Sequence, residues 1–313
     1  MVQYCKNRIN ARTKNSQMSN ISYGALRIRP LKIEDRELFY RHGSISFCNF
    51  TNIFSWRHAM NYRVADIDGF PALVGKYRGH SFNVLPPFYG DGMSAAELLL
   101  KVKVRLGVDR VRMFPMTPDM LPEIRNELPS ADIVLSRSLS DYIYKTSDLI
   151  ALSGKRYHQK RNHLNSFLSK YEHEYFPVHK DDAQSKELLR RAAEHLYEPS
   201  GDEDLEEEQA VIRELLDNFD ALGLVGAVIC CDGEPIAYSI GEKMSENTAL
   251  IHIEKANRDF SGAYAAINNL FLKNEFADTE FVNREEDMGI EGLRKAKLSY
   301  RPVSLGEYYT VTI

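Results

Sequence analysis

Asp68-Gly69-Phe70-Pro71-Ala72 and Asp232-Gly233-Glu234-Pro235-Ile236-Ala237 are the two stretches on which the fold turns. Asp-Gly favours a tight hairpin, because both central positions can take positive φ. Each stretch is flanked by apolar runs, Tyr62–Asp68 with Ala72–Tyr77 and Leu222–Cys231 with Ile236–Lys243. One Asp-Gly-x-Pro is ordinary turn chemistry. Two of them in matching surroundings suggest a duplicated unit.

Working outward, the two halves share an order: helix, helix, hairpin, strand, helix, strand, helix, strand. In the first half a strand is expected at Leu26–Pro30 and helices at Glu34–His42 and Phe50–Arg57. After the hairpin come strand Ser81–Leu85, helix Ser94–Leu106, strand Val111–Phe114, helix Pro118–Leu128 and strand Ile133–Leu135. Asp141–Tyr144 reads as a continuation of that sheet. Ala95, Leu98, Leu99, Val102 and Leu106 share one helical face, and Ser94 is placed to cap it. The second half opens with helices Lys186–Tyr197 and Glu206–Phe219, separated by an acidic linker at Glu198–Glu208. Strand Thr248–Lys255 follows the hairpin. Helix Ser261–Glu275 then matches Ser94–Leu106, strand Glu280–Asn283 matches Val111–Phe114, and Glu307–Ile313 is a final strand. The expected fold class is therefore α/β (α+β): two units with mixed, largely antiparallel sheets. The expected division is a disordered leader 1–22, a first unit 23–146, a basic connecting helix 147–180 and a second unit 181–313. A doubly wound nucleotide fold is disfavoured. Hairpins interrupt any βαβ alternation, and neither G-x-G-x-x-G nor G-x-x-x-x-G-K-[ST] occurs.

The chain has 313 residues, 43% of them hydrophobic, and a net charge of −4. That charge argues against a general nucleic-acid coat, and no DNA partner is expected. No apolar run reaches the ~20 residues of a membrane span, and residues 1–20 lack the apolar core of a signal peptide. Cys5, Cys48, Cys230 and Cys231 lack zinc-ligand spacing, and no His-Glu-x-x-His occurs, so no metal site is indicated. The four read as reduced thiols of a cytoplasmic protein.

Chemistry concentrates in three places. The stretch Phe281 to Tyr300, FVNREEDMGIEGLRKAKLSY, leaves a buried strand through Arg284, Glu285, Glu286 and Asp287. It turns at Gly289–Gly292 and enters a basic helix, Leu293–Leu298. Acids followed by bases one turn later suit a cleft that moves protons and holds phosphate or an oxyanion. The same run also reads as a solvated corner with weak surface ion pairs. On strand Thr248–Lys255, Leu250, His252 and Glu254 share a face. His252 and Glu254 are a candidate base and its orienter, or a satisfied polar pair at a sheet end. Helix KRYHQKRNHLNSFLSKY carries an apolar stripe of Leu164, Phe167, Leu168 and Tyr171. Projected back, that stripe meets Tyr157, Lys160 and Arg161, which suggests an anion pocket at the helix start or side chains that snorkel to water.

This order of elements resembles the GNAT (acyl-CoA N-acyltransferase) fold. A tandem pair resembles the Fem-type peptidyl transferases and the C-terminal domain of phosphatidylglycerol lysyltransferase. Three stretches carry the resemblance, over nearly all the chain after residue 22: Leu152–Phe167, His252–Ala256 with Gly262–Tyr264, and Val282–Tyr300. It implies transfer of an aminoacyl group from aminoacyl-tRNA to an amine or hydroxyl acceptor, a small molecule or an anionic lipid. Two alternatives stand beside it: an acyl-CoA-dependent N-acyltransferase, and a silent binding module for a tRNA end, nucleotide or anionic lipid. Acyl-CoA enzymes of this fold bind pyrophosphate on a Q/R-x-x-G-x-G/A loop. Arg258-Asp-Phe-Ser-Gly262-Ala263 occupies that place and matches it in part. The candidate catalytic residues are His252 and Glu254 as base and orienter, Glu285 or Asp287 as the base instead, and Tyr300 as an oxyanion donor or a packing residue. The candidate substrate and phosphate ligands are Lys155, Arg156, Lys160, Arg161, Arg258, Gly262, Arg284, Arg294, Lys295 and Lys297.

Overall fold

A computed structural model describes residues 26–39, 45–77, 80–87, 92–199 and 202–313. The expected leader 1–22, Cys5 and the end of the expected helix Glu34–His42 lie outside these residues. In chain order the elements begin with β1 (Arg27–Pro30), α1 (Arg36–Phe39), α2 (Phe50–Ser55), β2 (Arg63–Ile67), β3 (Phe70–Gly75) and β4 (Phe82–Val84). Then come α3 (Ala95–Leu106), β5 (Val111–Met116), α4 (Leu121–Glu127), β6 (Asp132–Leu135) and β7 (Tyr142–Lys145). Next are α5 (Thr146–Ala151), α6 (His158–Lys170), β8 (Glu174–Val178), α7 (Ala183–His195), α8 (Glu203–Asp217) and α9 (Phe219–Leu222). The chain continues with β9 (Val225–Cys231), β10 (Glu234–Lys243), β11 (Thr248–Ala256), α10 (Ala263–Glu275) and β12 (Phe281–Asn283). The last elements are α11 (Glu291–Ser299), β13 (Ser304–Leu305) and β14 (Tyr309–Thr312).

Two compact units result. The second holds Asp141–Asp287 and Glu291–Gly306; the first holds the residues up to Ser140 with Met288–Ile290 and Glu307–Ile313. Each contains a seven-stranded mixed sheet, ordered β1-β2-β3-β4-β5-β14-β6 and β8-β9-β10-β11-β12-β7-β13. In both, four strands run antiparallel and the next pair is parallel, β4 with β5 and β11 with β12. In both, a helix bridges the parallel pair, α3 in one and α10 in the other. This is the tandem GNAT-like α/β architecture.

The twin hairpins form as their sequences dictate. Asp68 and Gly69 have φ of 56° and 88°, and Asp232 and Gly233 have 52° and 80°. The Ser94 hydroxyl accepts from the Glu97 N–H at 3.0 Å, and Gly107 ends α3 at φ 64°. The apolar face of α3 packs Leu98, Leu99 and Val102 against Val111 and Met113. In the second unit Tyr142, Tyr144, Phe167, Phe271 and Val282 form the core.

The structure differs from the sequence reading chiefly in four places, besides the short α5 and β13, which were not expected. Asp141–Tyr144 was expected to extend the first sheet, but β7 pairs antiparallel with β12 in the second. Conversely β14, the expected last strand of the second half, inserts between β5 and β6 of the first sheet. β8 was not expected: its Pro177 argues against a strand, and an edge position tolerates it. The acidic run is mostly helical, with Asp202 capping α8 through the Asp204 N–H. No described helix is long and apolar enough to cross a membrane. Among the described residues no group of three or more His, Cys, Asp or Glu side chains could hold a metal ion.

Candidate functional site

The chemistry gathers in the second unit, where β12 stops and β11 runs on. Leu250 pairs with Asn283, the last residue of β12. Beyond it β11 still presents His252 and Glu254, now alongside the departing Arg284 and Glu285. A bulge adds to this. β10 pairs Ile240 with Ile253 but Gly241 with Ile251, so His252 is the extra residue on β11. Gly241 permits the close approach, since a Cβ there would lie 2.6 Å from the Leu250 carbonyl oxygen.

His252 is buried, its side chain 2% exposed. Its Nε2 lies 3.0 Å from Glu242 Oε1 and its Nδ1 3.2 Å from Glu285 Oε1. Two carboxylates, one on each ring nitrogen, call for two N–H groups. Burial alone would lower the pKa, but the bonds and charges of Glu242 and Glu285 outweigh it and hold it at about 9. The ring is therefore an imidazolium at neutral pH. Its partners are Glu242 and Glu285, whereas the sequence paired it with Glu254.

Glu254 instead accepts from Arg284 Nη2 at 2.8 Å and from Asn268 Nδ2 at 3.0 Å. The Arg284 guanidinium lies 4.9 Å from the Tyr300 ring centroid and 5.7 Å from that of Tyr144. Its other terminal nitrogen, Nη1, is buried without a hydrogen-bond partner. Lys160 from α6 places its ammonium 4.2 Å from the Tyr300 ring centroid. Burial, reinforced by the Arg284 charge, pulls the Lys160 pKa down. Burial pushes the Tyr300 hydroxyl up to about 12, so it keeps its proton at neutral pH. Two cations thus share one aromatic ring, each gaining about 0.5–2 kcal/mol from it, beside a carboxylate committed to one of them.

The remaining expected residues fall elsewhere. Asp287 is fully buried; it accepts two bonds from Arg294 and one from the Tyr142 hydroxyl, at 2.6–2.8 Å. Both Asp287 and Arg294 thus brace the turn. The Lys297 ammonium donates to the carbonyl oxygens of Arg284, Glu285 and Glu286. Lys295 forms an exposed ion pair with Glu291. Arg161 donates to the carbonyls of Leu152 and Gly154, tying down the start of α6, and Arg156 pairs with Asp148 at the surface. Lys155 and Arg258 are exposed. Gly262, at φ 91°, touches α6 so closely that a Cβ would lie 2.3 Å from the His163 carbonyl oxygen. Of the fifteen candidates, then, Lys160, His252, Glu254, Arg284, Glu285 and Tyr300 come together.

The sequence reading missed Glu242, Asn268 and Tyr144. Glu242 and Asn268 carried a signal, a polar residue inside an apolar run or stripe. The register-equivalent positions of the first unit carry none of these ionisable groups. Val84 and Leu250 hold equivalent register positions, so Val74 stands for Glu242, Pro86 for His252, Phe114 for Arg284 and Pro115 for Glu285. Phe114 there packs edge-on against Phe47 at 5.0 Å.

Two GNAT-like sheets, one of them carrying a buried cation–tyrosine–carboxylate cluster, define a chain built on the acyltransferase plan. The chain belongs to the phosphatidylglycerol lysyltransferase C-terminal family, whose model matches residues 40–312. A conserved protein of unknown function from Bacteroides thetaiotaomicron has a crystal structure that is 31% identical, with a TM-score of 0.76 over 92% of this chain and 99% of that one. L-PGS from Bacillus licheniformis shares the fold at 14% identity, with a TM-score of 0.54 over 80% of this chain and 83% of that one. FemX does so at 9% identity, with a TM-score of 0.54 over 91% and 96%. A Mycoplasmoides gallisepticum protein, MYCGA3080, is 22% identical, and the match spans 58% of this chain and 58% of that protein.

Proposed function

We propose that this chain transfers an aminoacyl group from aminoacyl-tRNA to an amine or hydroxyl acceptor, a small molecule or an anionic lipid. One observation carries the reading: a buried guanidinium nitrogen of Arg284 without a partner, next to Lys160 and the Tyr300 ring. An unsatisfied buried donor costs about 1–3 kcal/mol, a cost that an anionic ligand would remove. The tRNA donor offers a phosphate for these cations, and so does an anionic-lipid acceptor.

The reaction balances simply. The acceptor nitrogen or oxygen attacks the ester carbonyl, the bond to the ribose oxygen breaks, and the acceptor's proton ends on that oxygen. Tyr300, protonated at neutral pH, hydrogen-bonds the oxyanion and supplies the leaving oxygen's proton. Arg284 and Lys160 seat the phosphate. Glu285 takes the acceptor's proton and passes it on through solvent to the Tyr300 oxygen, so both groups end as they began; its side chain is 20% exposed against 14% for Glu254, 3% for Glu242 and 0% for Asp287. Glu254 orients Arg284, and His252 orients Glu285. Acyl-CoA as donor is less well supported, because Gly262, the one glycine of the candidate pyrophosphate loop, serves the close packing of α6 on α10.

The test is transfer of label. Protein is mixed with tRNA charged with radiolabelled amino acids and with an extract divided into lipid, peptide and small-molecule fractions. Protein-dependent label in one fraction, lost in Tyr300→Phe and Arg284→Lys, supports the reading and gives the acceptor class. No protein-dependent movement from any charged tRNA refutes it.

A further inference from the structure

Between β12 and α11 the backbone does something that needs a cause. Three consecutive carbonyl oxygens, of Arg284, Glu285 and Glu286, turn to one point. Glu285 takes φ 53° to allow this, a left-handed conformation that costs a non-glycine residue about 1–2 kcal/mol. Converging carbonyl dipoles repel one another unless a cation stands at their focus. That cation is the Lys297 ammonium, 3.1 Å from the Glu285 oxygen and bonded to the other two. The carbonyl of Lys297 in turn accepts the Tyr144 hydroxyl at 2.9 Å, and the Tyr144 ring neighbours the Arg284 guanidinium. The Glu285 N–H is fixed by Asn283 Oδ1 at 2.8 Å. Main-chain bonds to β7, from Arg284 N–H to the Tyr142 oxygen at 3.0 Å and from Tyr142 N–H to the Glu285 oxygen at 3.2 Å, share in setting the Arg284 backbone, and the residue has little room: its side chain is 10% exposed.

The geometry points to Lys297 as a positioning residue. By gathering the three carbonyls it holds the 284–286 turn in the one conformation that aims the Arg284 guanidinium at Glu254 and the Tyr300 ring. The charge pattern of the sequence suggested that Lys297 binds phosphate. Here its charge is spent inside the protein, on the backbone that carries the phosphate-seating residue. In its activity arm the inference rests on the transferase reading; its structural arm does not.

Two measurements test it together. Amide hydrogen exchange is followed at Glu285–Asp287 in Lys297→Met, with the β11 amides as internal reference. Lys297→Gln, which loses the charge and one bond of reach but keeps an amide that can donate, replaces it should the Met variant fail to fold. The expected result is faster exchange confined to the turn. Unchanged protection there overturns the proposal. Transfer is then measured in a cycle with Arg284→Lys. A misplaced guanidinium should cost on the order of 100-fold in kcat/KM, with little further loss once Arg284 is already changed. Equal losses in both backgrounds overturn the proposal, because Lys297 would then act independently of Arg284. If Arg284→Lys alone costs nothing, the transferase reading of that guanidinium fails instead, and the exchange result still decides the role of Lys297.

Discussion

The buried Glu242–His252–Glu285 triad ties the stability of the protein to pH. His252 is held at about 9 against an ordinary 6.5. At 1.36 kcal/mol per pH unit this amounts to about 3 kcal/mol of folding free energy. The sign follows from the raised value. The contribution is fully present below pH 6.5, where the folded and unfolded imidazole are both charged. It declines above 6.5 as the unfolded form loses its proton, and is gone once pH has risen through 9. Chemical denaturation of the wild type, followed from pH 6 to 10, should lose about 3 kcal/mol across that window. Glu242→Gln removes one of the two charges while keeping the shape, so burial regains ground and the imidazole titrates lower. The same titration in that variant should begin its decline at lower pH and lose less in total. The histidine Cε1–H resonance reports the pKa directly. Identical pH profiles in wild type and Glu242→Gln, or a His252 resonance that titrates near 6.5, would refute the assignment of the cation to this ring.

Three further outcomes are expected. Asp287→Asn leaves the buried Tyr142 hydroxyl and the half-exposed Arg294 poorly matched and should cost about 1–3 kcal/mol, read as a lower melting temperature; Lys295→Ala, on the same helix as Arg294 but in an exposed pair, should change it by less than about 1 kcal/mol. Gly262→Ala places a Cβ 2.3 Å from the His163 carbonyl oxygen on a left-handed backbone, and should cost more than about 2 kcal/mol in denaturant unfolding. Tyr300→Phe keeps the ring beneath both cations, so melting should barely move while kcat for label transfer drops about 100–1,000-fold.

Much of the fold was legible because it is written locally. The Asp-Gly pairs, the Ser94 cap and the helical stripe of α3 each lie within a few residues of what they control. What escaped was written at a distance. β7 and β14 are four residues long, and nothing in either sequence says which sheet completes it. β8 was hidden by Pro177, which is harmless only because the strand is an edge. In the candidate site, His252, Glu254, Arg284, Glu285 and Tyr300 were singled out as chemistry-bearing residue types. Their pairing was not legible. The bulge at Gly241 decides that His252 meets Glu242, and a left-handed Glu285 decides which oxygens turn towards Lys297. The basic helix misled for a related reason. Arg294 and Lys297 look outward in a sequence, and only the turn before them reveals that they serve it.

The crossing of β7 and β14 bears on how the protein is made. β14 is an interior strand of the first sheet, yet it is synthesised after every strand of the second. Until residue 312 has left the ribosome, β5 and β6 lack the neighbour that joins them, with Val134 and Leu135 exposed on the outer strand. Unpaired edges of that kind invite association with other chains. A gene cut between Ser140 and Asp141 therefore leaves the first sheet without β14, while all seven strands of the second stay on one fragment.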